Sequence, residues 1–241
     1  MLQAKGVAFE RVDLVPVLSR VWLRMTGFPA GTVPALRLDG LRIQGSCAIA
    51  RAVDSIYPEP PLFPSDPAVR VEVERIEAWG EGPFQQTTRR IALWTASRGG
   101  LDLRFVLVGA RLQFRAPNGL ALRLLGPLLR IDAALAGADE ATVRTDLAAL
   151  PGLLDQIDAW IEGGRLGADP PSAADYQLAG SIWLLLAFDD VAPLIEGRPA
   201  AELARRLVVP LPGSIPSGVL PTEWLPAGRL ESREADSQLG A

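Results

Sequence analysis

The stretch from Tyr176 to Phe188 constrains the fold more than any other part of the chain. It carries no charged residue, yet it falls well short of the roughly 20 apolar residues that a bilayer crossing needs. It therefore reads as a helix covered by protein on all sides. Ser172 stands at its head as the N-cap, and Asp175, at the third helical position, can reach back to the N-cap amide. A helix of this kind needs others around it. Helical spacing is present in Val69 to Gln86, in a run containing Arg98 to Arg115, in Leu120 to Ala136 and in Glu140 to Glu162. In the last of these, Leu147, Leu150, Leu154, Ile157 and Ile161 form a continuous stripe.

The first sixty residues follow different rules. Ala35-Leu36-Arg37-Leu38 and Leu41-Arg42-Ile43-Gln44 flank Asp39-Gly40, a favoured two-residue hairpin turn. Pairing across that turn sets Leu38 opposite Leu41, Arg37 opposite Arg42 and Leu36 opposite Ile43. The apolar side chains then share one face and the two arginines the other, which has to be wet to tolerate facing like charges. Before the hairpin, Met1 to Lys5 reads as the end of a helix with Gly6 as its C-cap, Val7 to Leu14 as a strand, and Val15 to Met25, of mixed polarity, as a second helix or an irregular one. After it, Ser46 is placed to N-cap a helix whose Ile49, Ala52, Val53 and Ile56 recur at helical spacing. The prolines at 58, 60, 61, 64 and 67 then break regular structure.

Composition removes several function classes. Apolar residues make up 49% and charged residues 22% of the 241, which suits a globular protein with a large core. A net charge of −4 supplies no cation excess to displace counterions from phosphates, which argues against a general nucleic-acid binder. Histidine is absent, so a Ser-His-Asp triad, a histidine base and a histidine metal ligand are all excluded. With one cysteine, a structural zinc site and an internal disulfide go too. The single cysteine and the absence of a charged-then-apolar leader point to a reducing, cytoplasmic setting.

The order of helix end, strand, helix, Thr32-Val33-Pro34-Ala35-Leu36, Asp-Gly hairpin, Gln44-Gly45-Ser46, helix and proline-rich linker resembles the amino-terminal domain of the glutathione S-transferases. The Ser172-x-x-Asp175 box at the head of the most apolar helix resembles the folding signature of that family's helical domain. The resemblance implies a thioredoxin-like α/β domain at 1–60, a linker at 61–68, an all-α domain at 69–225 and a disordered tail at 226–241. It implies that the Val33-Pro34 peptide is cis, that the Val33 backbone pairs with the cysteinyl part of glutathione, and that Gly45 and Ser46 open a helix whose hydroxyl and amides hold the γ-glutamyl carboxylate. It also implies glutathione as substrate with a small hydrophobic electrophile, a homodimer, and no metal, nucleic acid or membrane partner. The chain departs from the family pattern in two places. Gly45 stands where many members carry Glu or Gln, with Gln44 one position early. The family's first strand and most of its first helix, which hold the thiol-activating Tyr, Ser or Cys, are expected before Met1, so no catalytic residue is assigned.

Several residues admit two readings. Ser46 can cap a helix or bind a ligand, and the cap geometry itself makes the anion site. Cys47 lies where a helix dipole can lower a thiol pKa, but single cysteines mostly fill space. Asp189-Asp190 reads as a helix end and turn rather than a pair of catalytic acids. Arg104, Arg111, Arg115, Arg123 and Arg130 read as a solvated basic face rather than an anion or membrane site. Among Trp79, Trp94, Trp160 and Trp183, most are expected in helix packing, with Trp94 and Phe84 the best candidates to wall an acceptor pocket. Three functions follow: a glutathione transferase first, then a non-catalytic binding module of the same fold, then a glutathione-dependent disulfide reductase.

Overall fold

Asp39 and Gly40 take φ values of 48° and 82°, the left-handed pair that a two-residue hairpin requires. They join strand β1 (Ala35–Leu38) to β2 (Leu41–Gln44) in the register the spacing predicts, with Leu38 on Leu41, Arg37 on Arg42 and Leu36 on Ile43. Both are drawn from a computed structural model that describes residues 1–12, 14, 16–100, 118–209 and 213–226. The two facing arginines are held by a shared acceptor. Arg42 Nε and Arg37 Nη2 donate to the Thr26 carbonyl at 3.0 and 3.4 Å, just past the end of helix α1 (Pro16–Met25), where the helix dipole favours cations.

The strand expected over Val7 to Leu14 does not form. Residues 7–12 belong to no strand, and among the described residues the sheet has two strands. Phe9 and Val12 stay exposed, with no neighbouring strand among the described residues to cover them. The preceding turn does close as expected: the Lys5 amide donates to the Met1 carbonyl, the Val7 amide to the Leu2 carbonyl, and Gly6 takes φ 65°. The wholly buried Lys5 side chain carries its ammonium to Asp54 Oδ1 (2.8 Å) and to the carbonyls of Tyr57 and Pro60. Asp54 Oδ1 also accepts from the Leu62 amide at 2.7 Å. One cation thus ties the amino-terminal turn to the end of helix α2 (Ser46–Ile56) and to the proline-rich segment.

That segment is less exposed than its composition suggests. Leu62 and Phe63 are buried, and the guanidinium groups of Arg51 and Arg70 each lie 5.2 Å from the Phe63 ring centre. Helix α3 (Pro67–Trp79) starts where Asp66 accepts from the amides of Ala68 and Val69. The helix predicted over Val69 to Gln86 does not run straight. A π-helical turn over Gly80–Phe84, with Gly82 at φ −80° and ψ −106°, interrupts it before α4 (Gln85–Ser97) resumes. Pro83 accounts for the break, since it lacks an amide proton and its ring crowds the carbonyl four residues back.

Helices α5 (Asn118–Leu135), α6 (Glu140–Glu162), α7 (Ala173–Leu186) and α8 (Pro199–Leu207) complete the bundle. The α6 stripe is buried from Leu147 through Ile157. Helix α7 lies at the centre, packed by α3, α4 and α8. Its capping box is present: Ser172 Oγ accepts from the Asp175 amide, and Asp175 accepts from the Ser172 amide and hydroxyl and, at 2.6 Å, from the Gly167 amide. Trp79 stacks on Phe84 and meets Trp160 edge to face, so Phe84, with no exposure, is packing and not a pocket wall.

Asp189 and Asp190 form a turn, as expected, with one structural duty. Asp190 accepts from the amides of Gly218, Val219 and Leu220 and pins the returning chain, whose Ile215 bridges to Phe188 and whose Trp224 packs on Trp94. The helix expected through Arg115, the Arg104, Arg111 and Arg115 part of the basic run, and the tail at 227–241 lie outside the described residues. Among the described residues no helix is long and apolar enough to cross a membrane.

Candidate functional site

The sequence singled out two short stretches, Val33-Pro34 and Gly45-Ser46, and the fold brings them together. The Val33-Pro34 peptide is cis, and the Pro34 carbonyl accepts from the Gly45 amide at 3.0 Å. Val33 is 61% exposed beside the hairpin. Gln44 serves this loop and not a ligand. Its amide nitrogen donates to the carbonyls of Ala30 (2.7 Å) and Thr32 (3.0 Å), and its oxygen accepts from the Ala30 amide (2.7 Å).

The expectation that Ser46 is the N-cap is corrected. Gly45 occupies that position with φ 87° and ψ 141°, and no side chain caps α2. A residue without Cβ adopts this left-handed φ at no steric cost, and the shift puts Ser46 at the first helical position. The first intrahelical bond runs from Ile49 to the Gly45 carbonyl. The amides of Ser46, Cys47 and Ala48 therefore precede the helical ladder and point out of the helix end, where partial positive charge collects.

Acidic side chains from α3 and the π-turn face this helix end. Glu81 Oε2 accepts from the Cys47 thiol at 3.2 Å, and Glu81 Oε1 lies 3.8 Å from where a Cβ on Gly45 would stand. Glu77, almost wholly buried, has its Oε2 2.9 Å from Arg51 Nη1, an ion pair that leaves that oxygen without a well-directed hydrogen bond. Burial, then the hydrogen bond to Glu81 and the charge of Glu77, push the Cys47 thiol up to about 12. It is protonated at neutral pH and cannot serve as a thiolate nucleophile. Burial also raises the Glu77 carboxyl, against the opposing pull of Arg51.

A cavity of about 390 Å³ opens beside these groups, lined among others by Phe9, Pro34, Ser46, Glu77, Tyr176 and Gln177. Its far wall is the first turn and a half of α7, the helix whose capping box the sequence announced. Tyr176 and Gln177 carried no functional signal in the sequence beyond their place after that box. A second cavity, of about 830 Å³, lies at the other end of α4 beside Trp94, Arg98 and Arg130. Trp94 does line a cavity, then, but not the one beside Ser46. Among the described residues no group of three or more Cys, Asp or Glu is arranged to hold a metal.

A small α/β half that carries a cis-proline loop against a helix N-terminus, followed by an all-α half built on a capped central helix, defines a two-domain thioredoxin-like protein. Residues 1–61 match the family described as glutathione S-transferase, N-terminal domain. The fold is also that of a solved glutathione S-transferase from Rhodospirillum rubrum F11, with a TM-score of 0.54 and 22% identity over 92% of this chain and 89% of that one. No curated protein matches the chain. Residues 1–61 thus carry the match to a glutathione S-transferase N-terminal domain, and the chain as a whole shares the fold of that solved glutathione S-transferase.

Proposed function

We propose that the protein binds glutathione in the cleft beside α2 and transfers its thiolate sulfur to a small hydrophobic electrophile. The observation that carries this reading is the Pro34–Gly45 hydrogen bond, which sets an exposed cis-proline loop against the α2 amides that precede the helical ladder. In this reading the Val33 backbone pairs with the cysteinyl unit. The γ-glutamyl carboxylate sits on the Ser46 hydroxyl and the α2 amides, where charge-assisted bonds are strongest. The neighbouring ammonium lies toward Glu81, whose carboxylate stands beside Gly45 at the head of α2. Tyr176, whose pKa burial and the charge of Asp175 hold above the ordinary value, stays protonated and is the phenol available to donate to a thiolate.

Calorimetric titration with glutathione tests the reading. Binding in the micromolar to low millimolar range, weakened about tenfold or more in Ser46→Ala, supports it; a folded protein that gives no binding heat refutes it. Turnover of an activated aryl chloride then separates a transferase from a binding module. A homodimer belongs to the same proposal. It is supported by the exposed apolar residues Val21, Trp22 and Met25 of α1 and Leu128, Ile131 and Leu135 of α5, on helices joined by the Arg20–Asp132 ion pair. Light scattering that gives a monomer mass would refute the dimer alone. The division into domains at 61–68 is likewise part of the proposal.

A further inference from the structure

We infer that Gln177 of the helical domain is a ligand-contacting residue, donating from Nε2 to an acceptor oxygen of glutathione bound in the cleft; the inference rests on the reading above. Gln177 is only 7% exposed, and its amide nitrogen has no hydrogen-bond partner. It lines the same cavity as Pro34 and Ser46. Buried amides are almost always paired, so an unpaired donor on the most tightly packed helix calls for an explanation.

The surroundings show that the fold makes room for this side chain. Gly80, which opens the π-helical turn, lies against it, and a Cβ at Gly80 would stand 3.0 Å from Gln177 Cγ. Neighbouring polar groups at the head of α7 are already used: Asp175 accepts from the Ser172 amide, the Ser172 hydroxyl and the Gly167 amide. A leucine or methionine at position 177 would satisfy packing without burying a donor. Among the buried polar atoms of the described lining, Glu77 Oε2 likewise lacks a well-directed hydrogen bond, though it lies 2.9 Å from Arg51 Nη1. The wall therefore offers a donor and an acceptor, the complement of a peptide. Glutathione, with two peptide groups and two carboxylates, brings oxygens that Gln177 can meet. Binding would then draw on both halves of the chain, since Ser46 lies on α2 and Gln177 on α7.

The test is Gln177→Met, close in volume and apolar, measured by thermal melting and by glutathione titration. The inference expects a melting temperature equal to or above that of the parent, since an unpaired buried donor is gone, together with glutathione affinity about tenfold weaker. A lowered melting temperature with unchanged affinity would overturn it, and would mean that a trapped water bridges Gln177 and Glu77 as part of the structure. In the unsubstituted protein, the Gln177 side-chain amide resonances should shift on titration with glutathione; no shift at saturation overturns the inference without any variant. If the parent fails to bind glutathione, the functional reading falls and this inference with it. Binding by the parent that Gln177→Met matches sinks the inference alone.

Discussion

Replacing Lys5 with methionine tests how the amino-terminal turn is held. The Lys5 side chain has no solvent exposure, whereas Asp54 retains 16%. The ammonium donates to Asp54 Oδ1 and to the Tyr57 and Pro60 carbonyls. Methionine keeps the stem's packing and removes the charge and all three bonds. Breaking a buried ion pair by removing one partner costs about 3–5 kcal/mol. Asp54 keeps the Leu62 amide and some water, so the lower end applies, about 3 kcal/mol. For a chain of this size that is a fall of about 6–12 °C in melting temperature, read by circular dichroism. Asp54→Asn and the double variant complete a thermodynamic cycle, with an expected coupling of about 1–3 kcal/mol. Met1, Leu2 and Gln3 line the cavity proposed to hold glutathione, so affinity should also fall at temperatures where the variant is folded. A drop below about 2 °C, or strict additivity of the two single changes, would refute the reasoning.

Glu81→Gln should weaken glutathione about tenfold while leaving a des-amino analogue unaffected, because only glutathione presents an ammonium to the carboxylate. The same change should lower the Cys47 pKa from about 12, so alkylation of Cys47 at pH 9 to 10 should speed up; an unchanged rate would place the main cause in burial alone. Asp175→Ala removes the acceptor for Ser172 and Gly167 at the head of α7 and should cost about 2–4 kcal/mol in denaturant melts. Asp190→Ala frees three amides of the returning chain, and hydrogen exchange at residues 218–220 should accelerate while α7 stays protected. Tyr176→Phe should lower turnover and leave glutathione affinity within about twofold if the phenol stabilises a thiolate; equal turnover would remove Tyr176 from the chemistry.

Local signals carried much of the fold. The Asp39-Gly40 pair set the hairpin register because φ above zero is needed at both positions, and Ser172 with Asp175 marked the start of the buried helix because the box satisfies its own end amides. Val33-Pro34 and Gly45-Ser46 were legible as a pair through their resemblance to a known family. The misreadings lie where a local pattern needed a distant partner. Val7 to Leu14 has strand composition but no adjacent strand among the described residues. Gly80–Phe84 has helical neighbours and a proline that turns the ladder into a π-turn.

By itself, then, the amino-acid sequence determined the hairpin and its register, the helices that carry capping and periodic apolar signals, and which residue types are absent from any site. Tertiary structure alone decided that Gln44 is consumed by the Ala30–Thr32 loop, that Glu81 stands opposite Gly45, that Cys47 is kept protonated, and that Gln177 faces the cleft. The physical reason is range: turn and capping preferences act within a few residues of the chain. The partners of these side chains arrive from 12 to 34 positions away in the cases of Gln44 and Cys47, and only packing of the helical half against α2 brings the more distant ones into contact.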